Sequence, residues 1–188
     1  MSRVLTHEEW IAKRRAEMAA RPNPPPPNPA KWATIGGFRH FTRVNSHAVY
    51  GVVYGDPRQG FEAFLGPDLP DAELGAVARQ ALAASRFITP DDPDWEMLSF
   101  GTRESLRADD AALKRRAGVK TLKALYEGAG SVALKLEDGV IEVIPDRYRG
   151  NSCWDAVPGH INARLPEGAT DPDLGAAINA AMAVSRAA

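Results

Sequence analysis

Two pairs of residues are candidates for a nucleophile with its base: Ser46 with His47, and Cys153 with His160. Nucleophilic catalysis needs the base within hydrogen-bond reach of the attacking atom. Neighbours on a strand point to opposite faces, which separates Ser46 from His47. Cys153 and His160 carry none of the flanking signatures of a catalytic cysteine. The four histidines, His7, His40, His47 and His160, have no zinc-ligand spacing. The chain also has no dinucleotide fingerprint, no phosphate-binding Gly-x-x-x-x-Gly-Lys-Ser/Thr and no His-Glu-x-x-His pair. No cofactor or metal is therefore expected, and Cys153 reads as a small, half-buried apolar residue. A small cytoplasmic hydrolase or nucleotide-handling enzyme using Cys153 or a histidine is the alternative to weigh.

The residues that point towards binding are acidic. In Asp91-Asp-Pro-Asp-Trp-Glu96 four acids surround one tryptophan, and Asp109 and Asp110 follow downstream. Carboxylates around an aromatic anchor suit recognition of a basic protein. Asp91, Asp92, Asp94, Trp95, Glu96, Asp109 and Asp110 are thus the candidate partner-binding residues. The competing reading is a solvated turn with Trp95 tucked into the core. Arg39-His-Phe-Thr-Arg43 and Arg147-Tyr-Arg149 mix basic and aromatic residues, as surfaces that stack on bases do. They are short, and 23 basic against 24 acidic residues leave a net charge of −1, with no general pull towards nucleic acid or an anionic membrane. They read as solvated loop residues.

The elements that must position these residues follow from pattern. A length of 188 residues suits one domain with an appendage and can bury a core without staples. A lone cysteine excludes an internal disulfide. With no secretory signal and no long apolar run, a cytoplasmic protein is expected. Leu5 to Ala20 reads as a helix opened by a capping box, Thr6 with Glu9, and a staple between Leu5 and Trp10. Arg21 to Pro29 holds six prolines and reads as a stiff polyproline II spacer. Residues 1–29 are therefore an appendage to an α/β (α+β) domain over 30–188, whose composition becomes domain-like from Phe38.

Within that domain, Ser46 to Tyr54 and Gly60 to Leu65 read as strands, and Asp71 to Arg86 as a helix with Leu74, Val77, Ala78, Ala81 and Leu82 on one face. Arg107 to Tyr126 reads as a helix in two pieces broken near Gly118. Asp138-Gly139 marks a two-residue hairpin turn within Ser131 to Ile144. Its register sets Leu136 opposite Ile141, Leu134 opposite Val143 and Lys135 opposite Glu142. Arg147 to Gly159 reads as a loop, Ile161 to Leu165 as a strand and Asp171 to Ala187 as the last helix. An antiparallel or mixed sheet with packed helices is expected.

The two long helices are copies. Asp71 to Arg86 aligns without gaps on Asp171 to Arg186, with identities that include the Asp, Leu-Gly and Ser-Arg positions. The repeat spans about 46–86 and 146–186. Glycine in a helix costs about 1 kcal/mol relative to alanine. Gly75 and Gly175, both in a first turn, are expected to allow a close approach to the neighbouring sheet.

Several segments in order carry a likeness: Leu69-Pro-Asp-Ala-Glu-Leu-Gly75 with its alanine-rich helix, Gly118-Val-Lys-Thr-Leu-Lys-Ala-Leu-Tyr126, Glu137-Asp-Gly-Val-Ile-Glu-Val-Ile-Pro145, Trp154, and Thr170-Asp-Pro-Asp-Leu-Gly175. From about Tyr50 onwards the chain resembles the CdiI-type immunity proteins of bacterial contact-dependent growth inhibition, those with a Lys-Thr-x-x-Ala-Leu-Tyr segment. The resemblance implies a cytoplasmic inhibitor, not an enzyme, that binds the C-terminal toxin domain of a cognate exoprotein, often a nuclease. It implies a protein partner, with neither nucleic acid nor membrane bound directly. It transfers no interface residues.

Overall fold

In the computed structural model, residues 6–19, 26, 28–50, 52–99 and 103–188 are described. The helix α1 (His7–Ala19) opens with the expected capping box: the Thr6 amide donates to the Glu9 carboxylate at 2.9 Å, and the Glu9 amide to the Thr6 hydroxyl at 3.2 Å. Leu5 of the expected staple and most of the proline segment lie outside the described residues. The strands β1 (Lys31–Gly37), β2 (Thr42–Tyr50), β3 (Val52–Gly55) and β4 (Glu62–Leu65) lead to α2 (Asp71–Ala84). A short β5 (Arg86–Phe87) precedes α3 (Trp95–Ser99), α4 (Arg103–Ala117) and α5 (Leu122–Tyr126). Then come β6 (Gly130–Glu137), β7 (Val140–Gly150), β8 (Cys153–Ala156), β9 (Ala163–Pro166) and α6 (Asp171–Ala187).

The sheet runs β3-β2-β1-β6-β7-β8, with β4 and β5 also on β2, and β9 also on β7. All of these pairings are antiparallel except β2 with β5. The fold is α+β, as expected. The hairpin β6–β7 has the register read from its turn: Leu136↔Ile141, Lys135↔Glu142 and Leu134↔Val143. Asp138 and Gly139 both take positive φ, 50° and 73°, as a two-residue turn of this kind demands. Gly118, at φ 68°, separates α4 from α5.

Three expectations are corrected. The strand β1 lies at the centre of the sheet, although Trp32-Ala-Thr-Ile-Gly-Gly37 falls before the point where the composition becomes domain-like. Residues 147–159 are not a loop throughout, because β7 runs on to Gly150 and turns through Asn151 and Ser152, both at positive φ, into β8. The paired glycines do not face the sheet. A Cβ on Gly75 would lie 1.9 Å from the Asp171 carbonyl oxygen, and one on Gly175 would lie 1.9 Å from that of Asp71. Each glycine admits the first turn of the other long helix.

That reciprocity extends through the domain. The pair Ala33↔Ser46 recurs 99 residues on as Val132↔Pro145. The pair Thr42↔Leu65 recurs as Ile141↔Leu165. At the centre Thr34 pairs with Ala133, its own counterpart. A pseudo-twofold axis therefore passes between β1 and β6, and the repeat reaches back to Lys31 and Gly130. Ser85 accepts from the Trp32 amide and donates to the His47 carbonyl; Ser185 accepts from the Ser131 amide and donates to the Asp146 carbonyl. Arg79 binds Asp171 while Asn179 binds Asp71. The repeated Ser and Asp positions are thus the seams between each helix and its strands, and between the two helices.

One face of the sheet packs Ala33, Ile35, Val44, Val132, Leu134, Ile141 and Val143 against Leu74, Ala78, Leu82, Leu174, Ile178 and Met182 of α2 and α6. The other face carries the alternate residues of the same strands. Segment 88–129, with α3, α4 and α5, lies between the two repeat units and is not part of either. Among the described residues, no helix is long and apolar enough to cross a membrane.

Candidate functional site

The candidate acidic residues divide between two places. In the loop before α3, Arg86 gathers three carboxylates: it donates to Asp56, to Asp92 at 2.8 Å and to Asp94 at 3.4 Å. Asp94 also accepts from Gln59 and from Arg58, and is buried. Burial works against the Asp56 charge, but Arg86 and the Gln59 and Arg58 amides outweigh it and hold that carboxyl below its usual range. Trp95 is 2% exposed and packs with Ala48, Ile88 and Leu98, against which Ile11 of α1 also rests. Of the two readings the sequence left open for the tryptophan, the fold takes the one that tucks it into the core, and it uses Asp92 and Asp94 to hold the loop. Asp91 stays exposed, and the Glu96 side chain lies outside the described residues.

Asp109 and Asp110 sit elsewhere, on the inner side of α4 above the sheet face that α2 and α6 leave open. The Arg43 guanidinium binds Asp109 through two hydrogen bonds of 2.9 and 3.1 Å and reaches Glu62 at 2.7 Å. Asp110 accepts from the Ser152 hydroxyl at 2.8 Å. Leu113, 3% exposed, joins Phe38, Phe41 and Leu125 in a second cluster, and the Arg116 guanidinium lies 3.9 Å from the Phe64 ring centroid. Among the described residues, Arg43–Asp109 and Ser152–Asp110 pin α4 to the sheet beside these contacts.

Two cavities lie under these pins. One, of about 290 Å³, is lined by Phe38, Tyr126 and Trp154 with Asp109, Asp110 and Ser131 among its polar groups. The other, of about 580 Å³, is lined by Tyr54, Phe61, Glu62, Met97 and Leu98. Arg43, Asn45, Leu106 and Asp109 border both. Tyr126, Tyr148 and Trp154 form one aromatic group, with centroids 4.7 Å apart for Tyr126 and Tyr148, and 5.1 Å for Tyr148 and Trp154. Arg43, Leu106, Tyr126 and Trp154 were not among the residues singled out for binding. Arg43 stood in a basic, aromatic string read as a solvated loop; it lies on β2, with its guanidinium between two carboxylates.

His47 and Asp146 occupy equivalent places in the two units. Burial lowers the His47 imidazole to about 4, with the Arg43 charge adding to the effect. Burial raises the Asp146 carboxyl to about 6, against the hydrogen bond it accepts from Ser131, with the Asp155 charge helping to raise it. The His47 Nε2 bonds the Thr34 hydroxyl at 2.7 Å. The Cys153 thiol is exposed and donates to the Asn151 carbonyl at 3.5 Å, not to an imidazole. Among the described residues, no group of three His, Cys, Asp or Glu side chains is placed to hold a metal ion.

Comparison with known proteins agrees with the likeness read from the sequence. The chain is 23% identical over 165 residues to the immunity protein CdiI-YPIII of Yersinia pseudotuberculosis serotype O:3 (strain YPIII), covering 80% of this chain and 93% of that protein. Its structure is similar to that of NMB0488 from Neisseria meningitidis, described as a protein of unknown function. The TM-score is 0.72 and the identity 25%, over 82% of this chain and 94% of that one. It is also similar to a chain of the CdiA-CT/CdiI toxin and immunity complex from Yersinia pseudotuberculosis, with a TM-score of 0.67 and 24% identity over 84% of this chain and 97% of that one. The CdiI family model, described as CDI immunity protein, matches residues 31–185, a span that takes in the first repeat unit, the whole of the middle segment and the second unit up to Ser185. The chain therefore belongs to the CdiI family of immunity proteins for contact-dependent growth inhibition.

Proposed function

We propose that this protein neutralises one cognate toxin domain of a contact-dependent growth inhibition system by binding it in the cytoplasm, and that the toxin is a nuclease. The family match over residues 31–185 carries the first part. The second rests on charge. A nuclease presents a basic groove to phosphates. Asp91, Asp109 and Asp110 are the candidate acids with room to meet such a groove, whereas Asp92, Asp94 and Trp95 serve the fold. Residues 30–188 are the toxin-binding unit, and 1–29 is an appendage whose α1 docks through Ile11.

The test uses the C-terminal domain of the exoprotein encoded upstream. Cells that express this domain should stop growing, and co-expression of the full chain should restore growth. The purified domain should degrade RNA or DNA, and one equivalent of this protein should stop it. A toxin domain that stops growth without cutting nucleic acid would remove the nuclease part. Absence of protection would remove the pairing.

A further inference from the structure

The tip between β1 and β2, the end of α4 and the short α5 meet at one end of the molecule. Phe38 and Phe41 of the tip, Leu113 of α4 and Leu125 of α5 fill a buried cluster there, with Ala117, Val119 and Leu122 packed at its edge. Interleaved with these apolar residues are Arg39, Lys114, Arg115, Arg116, Lys120 and Lys123; Lys114 is half-buried and the other five are exposed. The basic and aromatic string Arg39-His-Phe-Thr-Arg43 is divided by the fold. Phe41 is buried and Arg43 is held by Glu62 and Asp109, which leaves Arg39 and His40 to solvent.

The chain as a whole carries a net charge of −1, so this excess of cations is local. None of the six forms an ion pair with a described residue. The acids placed towards this end are Glu127, after α5, and Asp68, beyond the end of β4 that pairs with Thr42. Lys114, Arg115 and Arg116 occupy the last turn of α4, where a helix end attracts cations. Such an end carries only about half a negative charge, which three cations exceed, and Arg39, Lys120 and Lys123 lie outside that helix. Unpaired like charges held close together repel one another and do not stabilise the fold.

The surroundings select the partner. The large apolar side chains that stand exposed among the described residues are Trp10, Met97, Leu106 and Ile161, and none belongs to this rim. A protein interface is usually built around a buried anchor, and stable attachment to a membrane takes a second, apolar signal beside the charge. A nucleic acid backbone needs neither, because phosphates are held by arginine and lysine alone. Phe38 and Phe41 are buried, so their rings are not offered to unstacked bases. That favours a double helix, whose phosphates face outward.

We propose that this rim of cations is a second interaction surface, which holds a double-helical nucleic acid by its phosphates without reading its sequence. The phosphate chemistry is common to RNA and DNA. The surface goes beyond the immunity reading and stands without it.

Fluorescence anisotropy of the full chain with labelled RNA and DNA duplexes of about 20 base pairs, from about 50 to 200 mM salt, tests the assignment. Both should bind with Kd of about 100 μM or tighter at about 150 mM salt, and log affinity should fall with log salt at a slope of about −4. The tighter duplex identifies the source of the phosphates, and equal affinities mean that backbone charge alone is read. Arg115→Glu, Lys120→Glu and Lys123→Glu together should weaken binding by about 30-fold or more and flatten the slope by about 3. The corresponding glutamine variant should flatten it by a similar amount with a smaller loss. A charge-matched control, Lys13→Glu, Lys31→Glu and Arg164→Glu, alters exposed residues elsewhere in the fold and should lose about threefold at most. Thermal melts confirm that each variant is folded, as the exposure of these residues leads one to expect. Equal losses from the control and the rim variant, or no binding of either duplex, would overturn the surface. A single strand binding as tightly as the duplex would overturn the double-helical form. Vesicles of phosphatidylcholine with about 30% phosphatidylserine should retain the chain less well than a duplex does; tighter retention by them would overturn nucleic acid as the occupant.

Discussion

The two repeat units put different residues at matching places. The first starts its long helix after Pro70, which offers no side-chain cap, and the second after Thr170, whose hydroxyl accepts from the Asp173 amide. The first crosses to its partner with Arg79 and the second with Asn179. The first half-buries His47 beside Thr34, and the second half-buries Asp146 beside Ser131. Gly75 and Gly175, Ser85 and Ser185, and Asp71 and Asp171 are kept in kind. These three pairs lie where one backbone meets another, and a glycine or a short hydrogen-bonding side chain fits there. The residues that differ lie where a side chain meets solvent, a rim or the unrepeated segment. Geometry between backbones leaves little freedom, and side-chain chemistry at the margins leaves much.

Four experiments break or sharpen that comparison. The unrepeated segment is tied to the first unit through its tryptophan, so Trp95→Ala should cost about 3–5 kcal/mol in a urea melt, as loss of a buried aromatic does. Toxin affinity, measured where the variant is still folded, should change little. Unaltered stability with lost affinity would return Trp95 to the interface.

The helix crossing comes next. Alanine at Gly75 gains about 1 kcal/mol of helix propensity, but its Cβ would overlap the Asp171 carbonyl. The net loss should be about 2–3 kcal/mol, and Gly175→Ala should match it. The double variant should cost less than the sum, because widening the α2–α6 crossing relieves both contacts together. Additive losses would show that the two contacts are relieved independently.

The His47 and Asp146 pair should give opposite pH responses. The folded His47 binds its proton only near pH 4, against 6.5 when unfolded, so its stability contribution is present above 6.5 and lost as pH falls through that window. His47→Gln should make the acid limb of the stability profile shallower, by about 2–3 kcal/mol. The folded Asp146 holds its proton up to about 6, against 3.8 when unfolded, so its contribution is present below 3.8 and lost as pH rises through 6. Solvent still reaches this carboxyl, so Asp146→Asn should stabilise the protein above pH 6 by only about 1 kcal/mol. Parallel pH profiles for wild type and both variants would contradict the burial argument.

The smallest effect concerns the helix starts. Thr170→Ala removes the cap of α6 and should cost about 1 kcal/mol. Pro70→Ala removes no side-chain cap and should leave the melting midpoint nearly unchanged. Similar losses from both would show that the Thr170 hydroxyl does not distinguish the two starts.

Some features were legible because they depend on residues close together in the chain. Asp138-Gly139 and the flanking alternation specified the β6–β7 register, since a two-residue turn with positive φ allows one pairing and a slip would turn every apolar side chain outward. Gly118 marked the break between α4 and α5. The copied helices showed that the fold repeats, though the alignment stopped short of β1 and β6, where matched register outlasts matched residues. The candidate site was half legible: Asp109 and Asp110 stood out as acids, but Arg43 and Leu106 did not stand out at all.

What only the tertiary structure decided involves partners far apart in sequence. Trp32-Ala-Thr-Ile-Gly-Gly37 is too short and glycine-rich to announce a central strand; it becomes one because β2 and β6 both pair with it. A Cβ on Gly37 would crowd the side-chain ends of Met182 and Arg186 of α6, which would have to shift to admit a bulkier strand residue. Asp92 and Asp94 find their partners in Arg86 and Arg58, and the burial of Trp95 depends on Ala48 and Ile88. A run of acids signals a recognition loop only while its cations are out of view. Local spacing determines which elements form; whether a charge or a ring faces a partner or the core is decided when distant segments meet.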